Sequence, residues 1–313
     1  MPDYGPVLNE VFPLCLGGNI FGWTISQEES FAVLDAYAAA GGNFIDTSDV
    51  YSVWVEENSG GESETIIGNW MQERGNRDKI IVATKVGQLG GVSGSAVRKA
   101  AEDSLRRLQV DHIDLYYTHI DDPEVPLEDT LGALDELFKA GKVREIAASG
   151  YTAERLALAL EVSDREGFAR YRALQPHYNL LERDAYEGDL QDLCEREGLA
   201  CIPFFSLARG FLTGKYRPGQ QADTKRGNFA WTDEWDERSL ALIGALDEIA
   251  AEHGVKVGAV ALAWLRAQPT VLAPIASART VAQLEEILPM ATLELDADEL
   301  ARLTDAGALA TGA

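Results

Sequence analysis

Apolar residues along this chain switch repeatedly between two spacings. Short apolar runs fenced by glycine or charge predict strands at residues 11–16, 43–47, 79–85, 113–119, 143–149, 172–177, 199–205 and 271–276. Between them, apolar positions recur three and four residues apart. That spacing predicts helices over 27–40, 62–74, 95–108, 127–140, 153–165, 188–197, 236–252, 257–267, 282–288 and 298–306. Phe31, Leu34 and Ala38 share one helical face, which Gly41-Gly42 brings to a stop. One long irregular stretch, 206–235, follows the seventh strand and carries glycines, charges and two tryptophans. A loop of that length in a compact fold is usually a lid or a binding loop. Eight strands alternating with helices predict a parallel sheet closed as a (β/α)8 TIM barrel. A doubly wound open sheet is the alternative, but no G-x-G-x-x-G follows the first strand, only Gly17-Gly18. No composition break divides the chain, so residues 1–313 are expected to form a single domain.

Composition narrows the partners. The 313 residues carry 51 acidic and 27 basic side chains, a formal charge of −24. Such a surface repels phosphate backbones and anionic bilayers, so neither nucleic acid nor membrane is expected as a partner. No apolar run approaches the length of a membrane span, and Met1-Pro-Asp-Tyr-Gly5 resembles no signal peptide, so a cytoplasmic location is expected. Cys15, Cys194 and Cys201 are odd in number and unpaired in spacing, which predicts reduced, buried thiols. The four histidines show no metal-ligand spacing, and no metal is expected.

Chemistry gathers at the ends of three successive strands. Asn43-Phe-Ile-Asp-Thr-Ser-Asp-Val-Tyr51 is a strand breaking into a loop, with Asp46 at the break and Tyr51 beyond it. The strand 79–85 ends in Lys85, and the strand 113–119 ends in His119. Active sites of such barrels lie at the C-terminal strand ends, and neighbouring strands are about 4.8 Å apart, so these groups can converge. Singly, each reads as a solvated charge or a packing residue. Together they make a proton donor. A free phenol with a pKa of about 10 holds its proton too tightly at neutral pH. A nearby ammonium is expected to lower that pKa, with Asp46 as its counter-ion. His119 can hydrogen-bond the substrate oxygen or share the proton. Such a site suits an oxygen that gains negative charge, as a carbonyl does on accepting hydride.

These residues resemble a known family. Gly42-Asn-Phe-Ile-Asp-Thr-Ser-Asp-Val-Tyr51, Gly61-Glu-Ser-Glu64, Thr84-Lys85, Asp114-Leu-Tyr-Tyr-Thr-His119 and Gln175-Pro-His-Tyr-Asn179 are similar, in order, to the aldo-keto reductases. The resemblance implies a barrel that reduces carbonyls with NAD(P)H, with a tetrad of Asp46, Tyr51, Lys85 and His119. It also implies that Ser149 and Gln175 hold the nicotinamide carboxamide and that Phe204 stacks on the ring where relatives have tyrosine. Many members have Asn where this chain has Gly150. Phe205, Ser206, Leu207, Arg209, Gly210 and Lys215 match a loop over the pyrophosphate, with Arg226 further along it. Ser277, Arg279, Gln283 and Glu286 match the segment that grips the adenosine end. Arg279 offers a fork to a 2′-phosphate, so NADPH is expected in preference to NADH.

Trp23, Trp54 and the pair Trp231 and Trp235 lie on strand-end loops and are expected to wall an apolar substrate pocket. The acidic segment 55–61 disfavours anionic substrates. The expected partner is a small carbonyl compound, with oligomeric state open. A cofactor-sensing regulatory subunit, resembling the potassium-channel β subunits, is the alternative from another class. A Schiff-base aldolase using Lys85 is a third reading, which Asp46 and Tyr51 oppose by keeping that lysine charged.

Overall fold

The computed structural model describes residues 3–217 and 236–308. Its strands are β1 (Cys15–Gly17), β2 (Phe44–Asp46), β3 (Ile81–Val86), β4 (Ile113–Thr118), β5 (Val143–Ser149), β6 (Tyr171–Gln175), β7 (Ala200–Cys201) and β8 (Ile275–Ala276). All neighbours pair in parallel, in the order β7-β6-β5-β4-β3-β2-β1-β8. The two end strands then meet. Cys201 N donates to Thr270 O, Leu272 N to Cys201 O and Ile275 N to Pro203 O, at 2.8, 2.9 and 2.9 Å. The sheet therefore closes on itself as a (β/α)8 barrel, as the alternating pattern implies.

Seven of the eight strands are shorter than their apolar runs, and at four of them the reason is proline. Pro13, Pro176, Pro203 and Pro274 lie inside or at the ends of runs expected to be strands, and a proline has no N–H for the ladder. Their carbonyls still accept: Cys15 N donates to Pro274 O at 3.0 Å and Phe204 N to Pro176 O at 2.9 Å. The barrel thus keeps its closure while β7 and β8 shrink to two residues each.

Helices α1 (Gln27–Ala39), α2 (Glu62–Arg74), α3 (Gly94–Leu108), α4 (Leu127–Lys139), α5 (Ala153–Glu166) and α6 (Asp189–Glu197) follow the first six strands. Two helices, α7 (Glu237–His253) and α8 (Val257–Arg266), separate β7 from β8, and α9 (Val281–Ile287) and α10 (Ala297–Ala308) follow. Most start where sequence predicts, because local caps fix them. Ser26 and Glu29 form a reciprocal capping box at α1, Thr152 caps α5 and Thr280 caps α9.

Side-chain alternation sorts each strand between two cores. Ile45, Val82, Val86 and Tyr116 point outward into the layer under the helices. Phe44, Ala83, Leu115, Tyr117, Ala147 and Ala173 point inward, and Tyr4, Val7 and Leu8 pack against them. Small alanines opposite Phe44 and Tyr117 let the interior fill with side chains instead of forming a pore. The period of two then decides the site. Asp46, Lys85, His119, Ser149 and Gln175 each lie two residues beyond an inward residue, and they form the next layer toward the C-terminal end.

No helix among the described residues is long and apolar enough to cross a membrane. Cys15, Cys194 and Cys201 are free and buried, as their spacing predicts. Among the described residues no group of three His, Cys, Asp or Glu side chains could hold a metal ion.

Candidate active site

Lys85 is fully buried, and its ammonium has three N–H groups to satisfy. It donates to Asp46 Oδ2 at 2.7 Å, Thr47 O at 2.7 Å and Tyr51 Oη at 2.8 Å. Asp46, 1% exposed, is satisfied in turn. Its Oδ2 also accepts from the Tyr51 hydroxyl at 3.2 Å, and its Oδ1 accepts from Gln175 Nε2 at 2.9 Å. A buried ion pair is tolerable only when its remaining donors and acceptors are met, and here they are. The ammonium also lies 4.5 Å from the Tyr51 ring centroid.

This geometry corrects one expectation. A neighbouring lysine should lower the tyrosine pKa, yet burial first and the Asp46 carboxylate second hold the phenol well above its usual value. Asp46 touches both groups and offsets the lysine charge at the phenol. The resting site therefore contains a protonated Tyr51 whose hydroxyl accepts from Lys85 and donates to Asp46.

His119 completes the group. Its ring stands edge-on to Tyr51 with centroids 6.2 Å apart, and its Nδ1 lies 3.1 Å from Ser48 Oγ. Burial, reinforced by the Lys85 charge, pushes its pKa down to about 2, so the imidazole is neutral. All four expected residues are brought together; Asp46, Tyr51 and His119 line one cavity of about 1010 Å³, large for a ligand site, with Lys85 buried behind them.

Trp23 and Trp54 stand beside the phenol. Their rings meet edge-to-face at 5.3 Å, and Trp54 lies 6.3 Å from Tyr51. Trp231, Trp235 and Arg226 lie outside the described residues.

The cavity continues along the C-terminal ends of β5 to β8. Ser149 Oγ donates to Gln175 O at 2.9 Å, and both residues line the floor. Phe204 stacks on His177 with centroids 5.2 Å apart, and Phe205 meets the same imidazole edge-on. Ser206 Oγ is tied to Pro203 O at 2.9 Å. The loop then enters a short 3-10 segment, Ala208–Thr213, through left-handed backbone at Phe205 (φ 53), Ala208 (φ 44) and Arg209 (φ 55). Non-glycine residues rarely accept positive φ, and they collect at ligand clamps. Gly210 follows at φ 97, where a Cβ would fall 2.8 Å from Lys215 Nζ. Beyond β8, Ser277 Oγ donates to Asn19 Oδ1 at 2.7 Å, and Arg279 N to Gln283 Oε1 at 2.9 Å. Leu207, Arg209, Gly210, Lys215, Ser277, Arg279, Gln283 and Glu286 all line the same cavity.

Charge along this arc runs against that of the molecule. Outside the Asp46–Lys85 pair, Arg209, Lys215, Arg217, Lys256 and Arg279 line the cavity against the carboxylates Asp247 and Glu286. On a chain of net charge −24, that wall suits a polyanion. Arg217 is paired with Asp247 at 2.8 Å, whereas Arg279 has no carboxylate partner among the described residues. The donor set thus fits a phosphorylated nucleotide. Lys256, Arg217, Asn19 and Gln88 were not picked out by sequence reasoning. Lys256 directly precedes α8, a place where a lysine carries no pattern of its own, and only the barrel's closure brings it to the cavity.

The profile described as the Aldo/keto reductase family matches residues 13–308. Protein tas of Escherichia coli (strain K12) is 33% identical, covering 94% of this chain and 93% of its own length. Norsolorinic acid reductase stcV of Emericella nidulans is 33% identical, over 94% of this chain and 78% of its own. The uncharacterized oxidoreductase YrpG of Bacillus subtilis (strain 168) is 32% identical, over 93% and 91%. Fold, site and relatives together define an NAD(P)H-dependent oxidoreductase that works on a (β/α)8 barrel. The chain belongs to the aldo/keto reductase family.

Proposed function

We propose that this protein reduces an aldehyde or ketone to the alcohol, preferring NADPH, with Tyr51 as general acid and Lys85, Asp46 and His119 in support. The observation that carries the reading is a buried phenol, held by a fully satisfied Lys85–Asp46 pair, opening into the same cavity as a cationic arc.

A bound nicotinamide nucleotide supplies hydride to the carbonyl carbon. Ser149, Gln175 and Phe204 are the residues to hold its nicotinamide end; Ser206, Leu207, Arg209, Lys215 and Lys256 its phosphates; and Ser277, Arg279, Gln283 and Glu286 its adenosine end. The chain's own part is the proton. As charge develops on the substrate oxygen, the Tyr51 hydroxyl turns from Asp46 Oδ2 toward it and gives up its proton. The phenolate left behind is stabilised by Lys85 Nζ, 2.8 Å away, while Asp46 keeps that lysine charged. Lys85 therefore acts on the product of proton transfer more than on the resting phenol. His119 supplies the second contact to the oxygen.

Trp23 and Trp54 support a substrate with an apolar or aromatic group beside its carbonyl. Two of the relatives above carry names of the same reaction class, one a norsolorinic acid reductase and the other an uncharacterized oxidoreductase. The test is a panel of aryl ketones, aliphatic aldehydes and keto-sugars, followed by NADPH absorbance. Turnover fastest on aryl carbonyls supports the reading; no turnover on any member rejects it.

A further inference from the structure

One carboxylate beside the proton site is unlike the others. Asp46 pairs with Lys85 at 2.7 Å, and Glu64 pairs with Arg107 at 2.6 Å. Asp49, 5% exposed, has a hydroxyl as its partner: Ser48 Oγ donates to its Oδ1 at 3.2 Å, and among the described residues it forms no ion pair. The same Ser48 Oγ lies 3.1 Å from His119 Nδ1. A hydroxyl has a single proton and donates to one neighbour at a time.

We propose that Asp49, acting through the Ser48 hydroxyl, sets the tautomer of His119 and so decides whether the cavity presents a donor or an acceptor to the substrate oxygen. With Asp49 ionised, Ser48 donates its hydrogen bond to the carboxylate. His119 must then donate from Nδ1, and its Nε2 is left as an acceptor. With Asp49 protonated, the carboxyl donates to Ser48, Ser48 donates to Nδ1, and Nε2 carries the hydrogen. A carbonyl oxygen is recognised by the second arrangement and an alcohol by the first. Asp49 and Ser48 are positioning residues; neither is placed in contact with substrate.

The surroundings allow Asp49 to change state near neutrality. Glu64 on α2, Arg107 on α3, Lys85 on β3 and Tyr116 on β4 are the titratable and charged groups facing it. Burial first and Glu64 second raise its pKa to about 6, against the opposing pull of Ser48, Arg107 and Lys85. His119 stays neutral throughout, so its tautomer is what varies.

The proposal deepens the reaction proposed above, but its first test needs no turnover. The intact protein, labelled with 15N histidine, is titrated between about pH 5 and about 8, where few side chains change charge. The ring-nitrogen shifts of His119 are assigned with His119→Gln. They should move from Nε2–H to Nδ1–H as pH rises. In Asp49→Asn, whose amide can donate to Ser48 as the protonated carboxyl does and does not titrate, Nε2–H should persist; in Ser48→Ala the tautomer should stop following pH. A parent without the changeover, or an Asp49→Asn variant that keeps it, overturns the relay. The kinetic arm compares kcat/KM for carbonyl reduction in the parent and in Asp49→Asn. The ratio of parent to variant should fall by about tenfold or more as pH rises, within the 10²- to 10³-fold worth of one oxyanion donor. A merely structural role predicts a ratio that is flat with pH, and that result overturns the consequence for substrate. Loss of all carbonyl turnover at every pH would instead count against the proposed reaction and leave the nitrogen shifts as they are.

Discussion

The two ends of the cavity are built on different principles. At the proton end, the central charge arrives with its partners: the three N–H groups of Lys85 are taken by Asp46, Thr47 and Tyr51. At the nucleotide end, Arg279 is only partly buried and has no carboxylate partner among the described residues, and Lys256 lines the wall without an ion pair there. The first region is finished: strand backbones and a closed network hold it. The second is a set of cations and left-handed backbone on loops, which we propose a nucleotide phosphate completes. A general acid must be in place before the substrate arrives, whereas a nucleotide clamp has to let its ligand come and go.

The sharpest way to break this comparison is to remove the transferable proton alone. Tyr51→Phe should lower carbonyl reduction by about 10²- to 10⁴-fold, the usual worth of general acid catalysis. NADPH affinity should hardly change, because the hydroxyl's contacts are Lys85 and Asp46 and none lies on the arc. Steady-state rates beside a fluorescence titration of the nucleotide check both halves. A variant that keeps most of its turnover number removes Tyr51 from the role.

Next comes the finished network itself. Lys85→Met leaves Asp46 as a buried, unpaired charge, which should cost about 3–5 kcal/mol of folding stability. Urea unfolding of parent and variant measures it. Equal midpoints and slopes would mean that the pair contributes far less than its burial implies.

Asp49 offers a finer probe of the same end, because its carboxylate lacks the cation that Asp46 enjoys. Its pKa is raised from 3.8 to about 6, so the folded protein binds this proton more tightly than the unfolded chain does. Stability then falls as pH rises from 3.8 to about 6, and the deficit is complete above that window. The displacement corresponds to about 3 kcal/mol at most. Asp49→Asn should therefore be more stable than the parent above about pH 6 and lose that advantage toward pH 4. An advantage that does not vary with pH would point to packing instead of charge.

The same contrast explains what could be read from the sequence. Asp46, Lys85 and His119 follow inward residues at a spacing of two, so an apolar run ending in an ionisable group places its side chain by itself. Helix starts were equally legible where a capping residue stands beside them, as at Ser26 and Thr152. Strand ends were not, because Pro176, Pro203 and Pro274 look apolar while deleting the ladder donor. Of the nucleotide arc, Arg209 and Arg279 were reached only through the family resemblance and Lys256 not at all, for another reason. Arg209, Lys256 and Arg279 meet only because the barrel closes, and no local period records that closure. The direction of the Tyr51 pKa was also beyond the sequence: it depends on Asp46 touching both the lysine and the phenol.

The smallest effect expected tests the open end. Arg279 lines the cavity next to Ser277, with its backbone N–H held by Gln283 and its guanidinium without a carboxylate partner among the described residues. If it waits for the 2′-phosphate, the contact is charge-assisted and contributes about 1.5–3 kcal/mol. That is roughly ten- to a hundredfold in affinity. Arg279→Ala should weaken NADPH by this factor and leave NADH nearly unchanged, since NADH has no 2′-phosphate to lose. The difference should shrink as salt rises, because a partly exposed phosphate contact is screened, unlike the buried Lys85–Asp46 pair. Fluorescence titration of both nucleotides at low and high salt separates the cases. If both weaken alike, Arg279 serves the adenine or the loop, and the preference for NADPH falls to Lys215 or Lys256. If only NADPH weakens, and less so at high salt, the nucleotide end is shown to be completed by its ligand in the way the proton end is completed by the chain.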